Sequence, residues 1–125
     1  MSEALELKPM SEYDTIQTWM DGLREHWGGD PETDDPDRLP TLEAFCRYAE
    51  ADPDTIIKEC KRINKQGDLR ISAKGRRKYS ELIDKFQAES SGSRIARAKR
   101  GNTVRSFLIH NAILLAPGAQ MTGAE

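Results

Sequence analysis

Apolar residues recur at three- and four-residue spacing through most of the chain, which is the period of helices with one buried face. The first such helix is capped by Ser11 and ended by Gly28 and Gly29. Its predicted buried face consists of Tyr13, Ile16, Trp19, Met20, Leu23 and Trp27. No segment alternates over a useful length with the two-residue period of a strand. The pattern therefore predicts an all-α fold.

Four more helices follow an acidic loop at residues 30–40, and each begins at a capping residue. The four caps are Thr41, Asp52, Ser72 and Ser93. Pro53 suits the first position of the third helix, which is predicted to end at Gly67. The fourth helix is predicted to reach about residue 89 and the fifth about residue 112. The apolar and core positions of these helices are Leu42, Phe45, Cys46, Ala49, Ile56, Ile57, Cys60, Ile63, Tyr79, Leu82, Ile83, Phe86, Val104, Phe107, Leu108, Asn111 and Leu115.

The chain has 125 residues, which is the size of one ordinary domain. We expect a flexible leader at residues 1–10, a helical domain at 11–115 and a tail or linker at 116–125. No apolar run approaches the ~18 residues that span a bilayer. Glu3 and Glu6 stand where a secretion signal would be apolar. The expected location is the cytoplasm, with neither a membrane nor a small-molecule substrate as partner.

The sequence offers no catalytic or metal-binding constellation. Cys46 and Cys60 fall at core positions and are predicted to be reduced thiols. With His26 and His110 they lack the spacing of a zinc site, and the acidic loop lacks the glycine and closing glutamate of a calcium loop. Three tyrosines are predicted to lie in the core: Tyr13, Tyr48 and Tyr79. We therefore expect no metal, no cofactor and no enzymatic activity of this chain alone.

Charge is distributed unequally between the two halves of the chain. Residues 1–60 carry 16 Asp and Glu against 5 Lys and Arg, a net charge of −11; residues 61–125 carry 14 Lys and Arg against 5 Asp and Glu, a net charge of +9, and the two give the total of −2. Such asymmetry indicates a polyanionic partner for the basic half. Attraction between the two halves within the fold is the alternative.

The positive charge of the basic half is least compensated in the fifth helix. Between Glu89 and Glu125 there is no acidic residue, although the stretch contains five cations. These are Arg94, Arg97, Lys99, Arg100 and Arg105. Cations without carboxylates one helical turn away are unfavourable by themselves, and the phosphates of a nucleic acid would supply the missing negative charge.

The spacing of the basic residues relative to the core positions bears on the direction of this helix. Arg97 and Arg100 stand seven residues before the core positions Val104 and Phe107, so a continuous helix would place them on the core side. Its first half must then extend beyond the bundle. Alternatively, the helix breaks near Gly101, which is costly within a helix by ~1 kcal/mol relative to alanine. Gly101 either lets the backbone approach a DNA strand closely or marks a break, with Asn102 or Thr103 capping the second half; an ordinary bend on a solvated face is the alternative.

Residues 93–108, with the sequence SRIARAKRGNTVRSFL, continue into HNAI at 110–113. This stretch resembles the final helix of the core-binding domain of tyrosine recombinases, the phage-integrase family. Residues 42–48 and 52–57 resemble the preceding helices of integrase-like proteins. The likeness covers roughly residues 11–115. It implies a SAM-like orthogonal bundle of about five helices that clamps double-stranded DNA at recombination sites, for DNA integration and recombination, beside other recombinase protomers.

The resemblance also implies which residues bind DNA. In the family the first half of the last helix lies against DNA, which assigns contacts to Arg94, Arg97, Lys99, Arg100 and Asn102, with Arg105 nearer the core. Charge clustering separately adds Lys74, Arg76, Arg77 and Lys78. The early helices, which the family also uses on DNA, are acidic here.

The family's catalytic residues have no counterpart in this sequence. The family uses an Arg, a Lys, a His-x-x-Arg pair and a tyrosine nucleophile, but neither His26 nor His110 has Arg three positions later. We therefore expect a catalytic domain to follow residue 125. The alternative function is a helical protein–protein interaction module that uses the acidic and basic halves.

Overall fold

The computed structural model describes residues 5–113. Its elements in chain order are a 3-10 turn at Met10–Glu12, the helices α1 (Asp14–Trp27), α2 (Pro31–Asp34), α3 (Arg38–Ala49) and α4 (Pro53–Glu59), the strands β1 (Lys61–Ile63) and β2 (Leu69–Ile71), and the helices α5 (Ala73–Glu89) and α6 (Arg94–His110). Helices form most of the described chain, and the predicted all-α class is confirmed.

A single apolar core joins the long helices. The rings of Trp19 on α1 and Phe107 on α6 meet edge to face at 5.5 Å, and those of Phe45 on α3 and Phe86 on α5 meet at 5.3 Å. Burial of each such side chain stabilises the fold by roughly 1.5–3 kcal/mol. The predicted core positions confirmed as buried are Ile16, Trp19, Met20, Leu23, Leu42, Phe45, Cys46, Ile56, Ile57, Cys60, Tyr79, Ile83, Phe86, Val104, Phe107, Leu108 and Asn111.

Polar contacts fix the second half of α6 against α1. The Trp19 indole nitrogen donates to the Ser106 hydroxyl at 3.0 Å. The buried Asn111 side-chain amide donates to the Thr15 carbonyl at 3.1 Å and to the Phe107 carbonyl at 2.9 Å. Because an unpaired buried donor is costly, these bonds favour one position of α6 over others.

Three of the predicted caps are confirmed. Side-chain oxygens of Asp52, Ser72 and Ser93 accept the N–H groups three residues later, at 2.7, 3.1 and 3.1 Å. Each bond satisfies a donor that has no partner within its helix. The sequence therefore determines where α4, α5 and α6 begin.

The predicted extension of the third helix to Gly67 is wrong, because α4 ends at Glu59 and the chain then folds back as a hairpin. Its antiparallel pairs are Lys61 with Ile71, Arg62 with Arg70, and Ile63 with Leu69. In the turn, the side-chain oxygen of Asn64 accepts the N–H groups of Gln66 and Asp68, each at 2.9 Å. Gly67 has a φ of +85°, which suits glycine. This turn chemistry overrides the helical spacing of the preceding apolar residues.

The acidic segment also differs from the predicted loop. Asp30 caps the short helix α2, and Pro31 occupies its first position. α3 begins at Arg38, so Thr41 lies inside the helix and is not its cap. Aspartate and proline at these positions favour a helical turn in spite of the local negative charge.

Two further predictions, the cap at Ser11 and the burial of Trp27, are wrong at the ends of α1. Ser11 lies in the 3-10 turn, and α1 begins at Asp14 without a side-chain cap. Gly28 ends the helix as predicted, with a φ of +76°. Trp27, predicted to be buried, is 76% exposed because the last turn of α1 extends past the core.

Of the three tyrosines predicted to lie in the core, two are buried and one is not. Tyr13 and Tyr79 are buried, whereas Tyr48 is exposed near the end of α3. The ring of Tyr48 still contacts Phe86 at 5.6 Å. It therefore covers the edge of the core and does not lie within it.

α6 is continuous, so the alternative of a break at Gly101 is wrong. Gly101 is buried against α5, and a β-carbon there would collide with the side-chain amide of Gln87. The missing side chain at Gly101 leaves room for the flexible Gln87 side chain, and this buried position is not open to a DNA strand. The predicted core position Leu115 lies outside the described residues.

Candidate nucleic-acid interface

α5 and α6 run antiparallel, and residues 90–93 connect them. Arg105 of α6 donates to the Asp84 carboxylate of α5 at 3.1 Å. Closer to the connection, Arg100 donates to the Ser90 hydroxyl at 3.1 Å. The start of α6 therefore lies beside the end of α5.

The first half of α6 extends beyond the core. Buried positions on this helix begin at Gly101, whereas Ile95 is 82% exposed. Arg97 and Arg100 lie on the core side of the helix and are only partly exposed, as a continuous helix requires. The second half thus anchors α6, and the first half presents its side chains outside the bundle.

Three arginines in this first half have no carboxylate partner among residues 5–113. Arg94 is exposed and makes no hydrogen bond or ion pair there. Arg97 donates to the Gly92 carbonyl at 3.2 Å, and Arg100 donates to a carbonyl and a hydroxyl of residues 90–93. Neutral oxygens orient a guanidinium group without cancelling its charge. These three side chains therefore keep their positive charge.

The other two cations of α6 are paired with carboxylates. The Lys99 ammonium lies 3.6 Å from Asp35, and Arg105 lies 3.1 Å from Asp84. The Arg105 guanidinium also donates to the side-chain oxygen of Asn102 at 3.1 Å. Partly exposed pairs of this kind contribute about 0–1 kcal/mol each. These pairs are therefore weak, but they partly neutralise Lys99 and Arg105.

The second predicted cluster lies in the first turns of α5. Lys74 and Arg77 are exposed, and Arg76 is half-buried. The Lys78 ammonium forms an ion pair with Glu59 at 2.7 Å. This cluster is consequently less positive than the sequence indicates.

The structure does not bring the two clusters together. At ~1.5 Å per helical residue, the first turns of α5 lie roughly 20 Å from the segment that precedes α6. The neighbour of the α5 cluster is the hairpin, whose base is closed by a 2.7 Å hydrogen bond from the Ser72 N–H to the Cys60 carbonyl. Four hairpin cations lie outside the predicted site: the partly buried Lys61 and the exposed Arg62, Lys65 and Arg70. The sequence signal for the hairpin is the turn chemistry of Asn64 and Gly67.

Attraction between the acidic and basic halves is a minor part of the fold. The pairs Lys99–Asp35 and Lys78–Glu59 join the halves. Other ion pairs stay within one half, formed by Arg24, Arg38, Arg47, Arg70 and Arg105. Within the described part of the chain, most of the charge asymmetry therefore remains at the surface.

A groove lies between the end of α1 and the second half of α6. Trp27 is 76% exposed and Ile109 is 50% exposed. The rest of its lining is polar: His26, Asn102, Arg105, Ser106 and His110. Partial burial, with a smaller contribution from the charge of His26, lowers the pKa of His110 below its ordinary value.

The buried titratable groups are poor nucleophiles. Burial is the main cause that raises the pKa of the Cys46 thiol to about 12 and that of Cys60 to about 11. Burial likewise raises the pKa of Tyr79. Across residues 5–113, no three His, Cys, Asp or Glu side chains are placed to hold a metal ion. In the same range no helix is both long and apolar enough to cross a membrane.

Comparison of the chain with protein-family models, with curated proteins and with solved structures finds no match. The resemblance to tyrosine recombinases therefore depends on residues 42–48, 52–57, 93–108 and 110–113 alone. The function is inferred from the exposed cations in the first half of α6.

Proposed function

We propose that this chain is a DNA-binding domain of the tyrosine-recombinase type, which holds double-stranded DNA at recombination sites through the first half of α6. The main support for this proposal is the uncompensated positive charge of residues 94–100. This segment has four cations and no acidic residue, and among residues 5–113 only Lys99 of these four is paired with a carboxylate. It also extends beyond the core, where a duplex can reach it.

The geometry suits the binding of phosphates. Arg97 and Arg100 are held by neutral oxygens of residues 90–93, which reduces the rotamer freedom that each would lose on binding. Arg94 is free to approach a neighbouring phosphate, and the exposed amide of Asn102 can donate to DNA as well. Such contacts displace counterions, so affinity should fall steeply with salt. Strand cleavage would be carried out by catalytic residues that this sequence does not contain.

The test replaces the three unpaired arginines with glutamine, in the triple variant R94Q/R97Q/R100Q. We expect the log–log slope of duplex affinity against salt to decrease in magnitude by up to ~2.7, since each phosphate contact contributes about 0.9. A matched variant, K8Q/R24Q/R47Q, removes three cations from the acidic half and should leave the slope nearly unchanged. Circular dichroism should show that both variants are folded.

A charge-preserving variant separates electrostatics from the anchoring of residues 90–93. R97K/R100K keeps both charges but not the arginine hydrogen-bond geometry. It should retain the salt slope of the parent. The proposal is wrong if the glutamine variant binds duplex DNA like the parent at every salt concentration, or if the parent does not bind it.

A second candidate is a protein–protein interaction module, which is favoured by the acidic surface left without partners in the basic half. Copies of the chain would then associate through opposite charges. Sedimentation should reveal self-association in ~50 mM salt that is lost in ~500 mM salt, where screening shortens the Debye length from about 14 Å to about 4 Å. Such association without DNA binding would favour this candidate over the first.

A further inference from the structure

The β1–β2 hairpin has both faces exposed, although hydrogen bonds close its turn and its base. The opposed pair Ile63 and Leu69 is 63% and 58% exposed, and Arg62 and Arg70 are exposed as well. An isolated two-stranded hairpin is only marginally stable in water. A hairpin that covers none of the core therefore indicates a surface that meets a partner.

One face of the hairpin places two like charges side by side. Arg62 and Arg70 are directly opposite in the antiparallel register, where β-carbons are about 5 Å apart. Like charges at this position destabilise a sheet. The Asp68 carboxylate lies 3.8 Å from Arg70, which offsets only one of the two charges. An anion bound between the two guanidinium groups would turn the repulsion into attraction.

The surroundings of this pair are strongly positive. Residues 58–78 contain nine Lys and Arg against two acidic residues, a net charge of +7. Both acidic residues are already paired, Glu59 with Lys78 and Asp68 with Arg70. Lys65 adds an exposed cation at the turn of the hairpin. A repeated anion, such as a chain of phosphates, fits this surface better than a single small ion does.

We propose that the hairpin is a second DNA-binding element, in which Arg62, Lys65 and Arg70 bind phosphates of the duplex held by α6. This inference rests on the proposed function and extends it to a separate part of the chain. Two strands about 4.8 Å apart, with their side chains, fit the major groove of B-DNA, about 12 Å wide. The minor groove, about 6 Å wide, is too narrow for both strands.

The position of the hairpin agrees with this role. Its base adjoins the first turns of α5, where Lys74 and Arg77 are exposed. That end of α5 lies roughly 20 Å from the start of α6. At 3.4 Å per base pair, one duplex would join the two elements over roughly six base pairs. A duplex of at least this length is needed to contact both sites.

An anionic membrane surface is the competing partner. Ile63, Leu69 and Ile71 share the face opposite the arginines, and exposed apolar residues beside cations can insert between lipid headgroups. The adjoining helix α5 buries its apolar side chains Tyr79, Ile83 and Phe86 in the core, so it has no free apolar face to insert into a membrane, and this favours DNA. The experiment therefore also measures binding to phosphatidylserine vesicles.

The experiment compares the full chain with R62Q/K65Q/R70Q, using a 20-base-pair duplex and salt between 50 and 200 mM. Removal of three phosphate contacts should lower the slope by up to ~2.7, so that over this range the parent loses ~40-fold more affinity than the variant. K8Q/R24Q/R47Q is again the matched control. The variant I63S/L69S should keep the slope, and amide chemical shifts of residues 61–71 in the parent should change on titration with duplex.

The outcomes separate this inference from the proposed function. If R94Q/R97Q/R100Q loses slope while R62Q/K65Q/R70Q and the hairpin shifts stay unchanged, the hairpin inference is wrong and the proposed function stands. If the parent does not bind duplex, both are wrong. Binding to phosphatidylserine vesicles that I63S/L69S abolishes, with no hairpin response to DNA, would also overturn the inference.

Discussion

The two halves of α6 belong to one uninterrupted helix but have opposite environments. From Gly101 onward the helix buries Val104, Phe107 and Leu108 and is tied to α1 by polar bonds. Before Gly101 it exposes cations and the apolar side chain of Ile95. Because the helix is uninterrupted, the packed half determines where the charged half points. Packing in the core is therefore the task of the second half, and the side chains of the first half stay available for binding.

The largest expected effect comes from breaking the packed half. Phe107→Ala should destabilise the protein by about 3–5 kcal/mol, because it leaves a cavity beneath Trp19 in the core. Urea unfolding measures this change. The control Ile95→Ala, in the exposed half, should alter stability by less than about 0.5 kcal/mol. Similar losses for the two variants would contradict the division of α6 into an anchoring half and an exposed half.

A smaller effect should follow from releasing Lys99 in the charged half. Asp35→Asn removes the carboxylate 3.6 Å from the Lys99 ammonium. The substitution also releases Arg38, which lies 3.9 Å from the same carboxylate oxygen. The salt slope of DNA binding should steepen by about 0.9 for each released cation that reaches a phosphate, and Lys99, on α6, is the one we expect to do so. Asp37→Asn is the matched control, since it removes an exposed carboxylate from the same segment. Equal slopes for the two variants would show that the Lys99–Asp35 pair does not limit binding.

The smallest expected effect concerns the last residue of α6. The pKa of His110 is lowered by burial and, to a smaller extent, by His26. The unfolded chain therefore binds the proton more readily, so the free energy of unfolding should decrease as pH falls below about 6.5. His110→Gln should weaken this dependence between about pH 7 and pH 5. Urea titrations at several pH values measure it, and an unchanged dependence would mean that His110 is not the group responsible.

Local signals in the sequence predict much of the fold. Caps at Asp52, Ser72 and Ser93 are short-range hydrogen bonds, so the residues themselves indicate them. The hairpin was missed because the apolar residues before it continue the helical spacing of α4, and the competing signal is confined to the turn at residues 64–68. A local turn can thus override a longer periodic pattern.

The candidate site was predictable only in part. The placement of Arg97 and Arg100 on the core side follows from their spacing to Val104 and Phe107, and the structure agrees. The Lys99–Asp35 pair could not be predicted, because it joins distant segments whose proximity depends on packing of the whole domain. The separation of the α5 cluster from the start of α6 has the same origin.

The central claim is that the first half of α6 meets DNA while its second half holds the core, and an NMR titration tests it most directly. Adding a 20-base-pair duplex to labelled protein should shift the amide signals of residues 94–100, while residues 104–110 and α1 change little. Shifts centred on the acidic α1 and α2, or the absence of any shift along residues 94–100, would contradict the account.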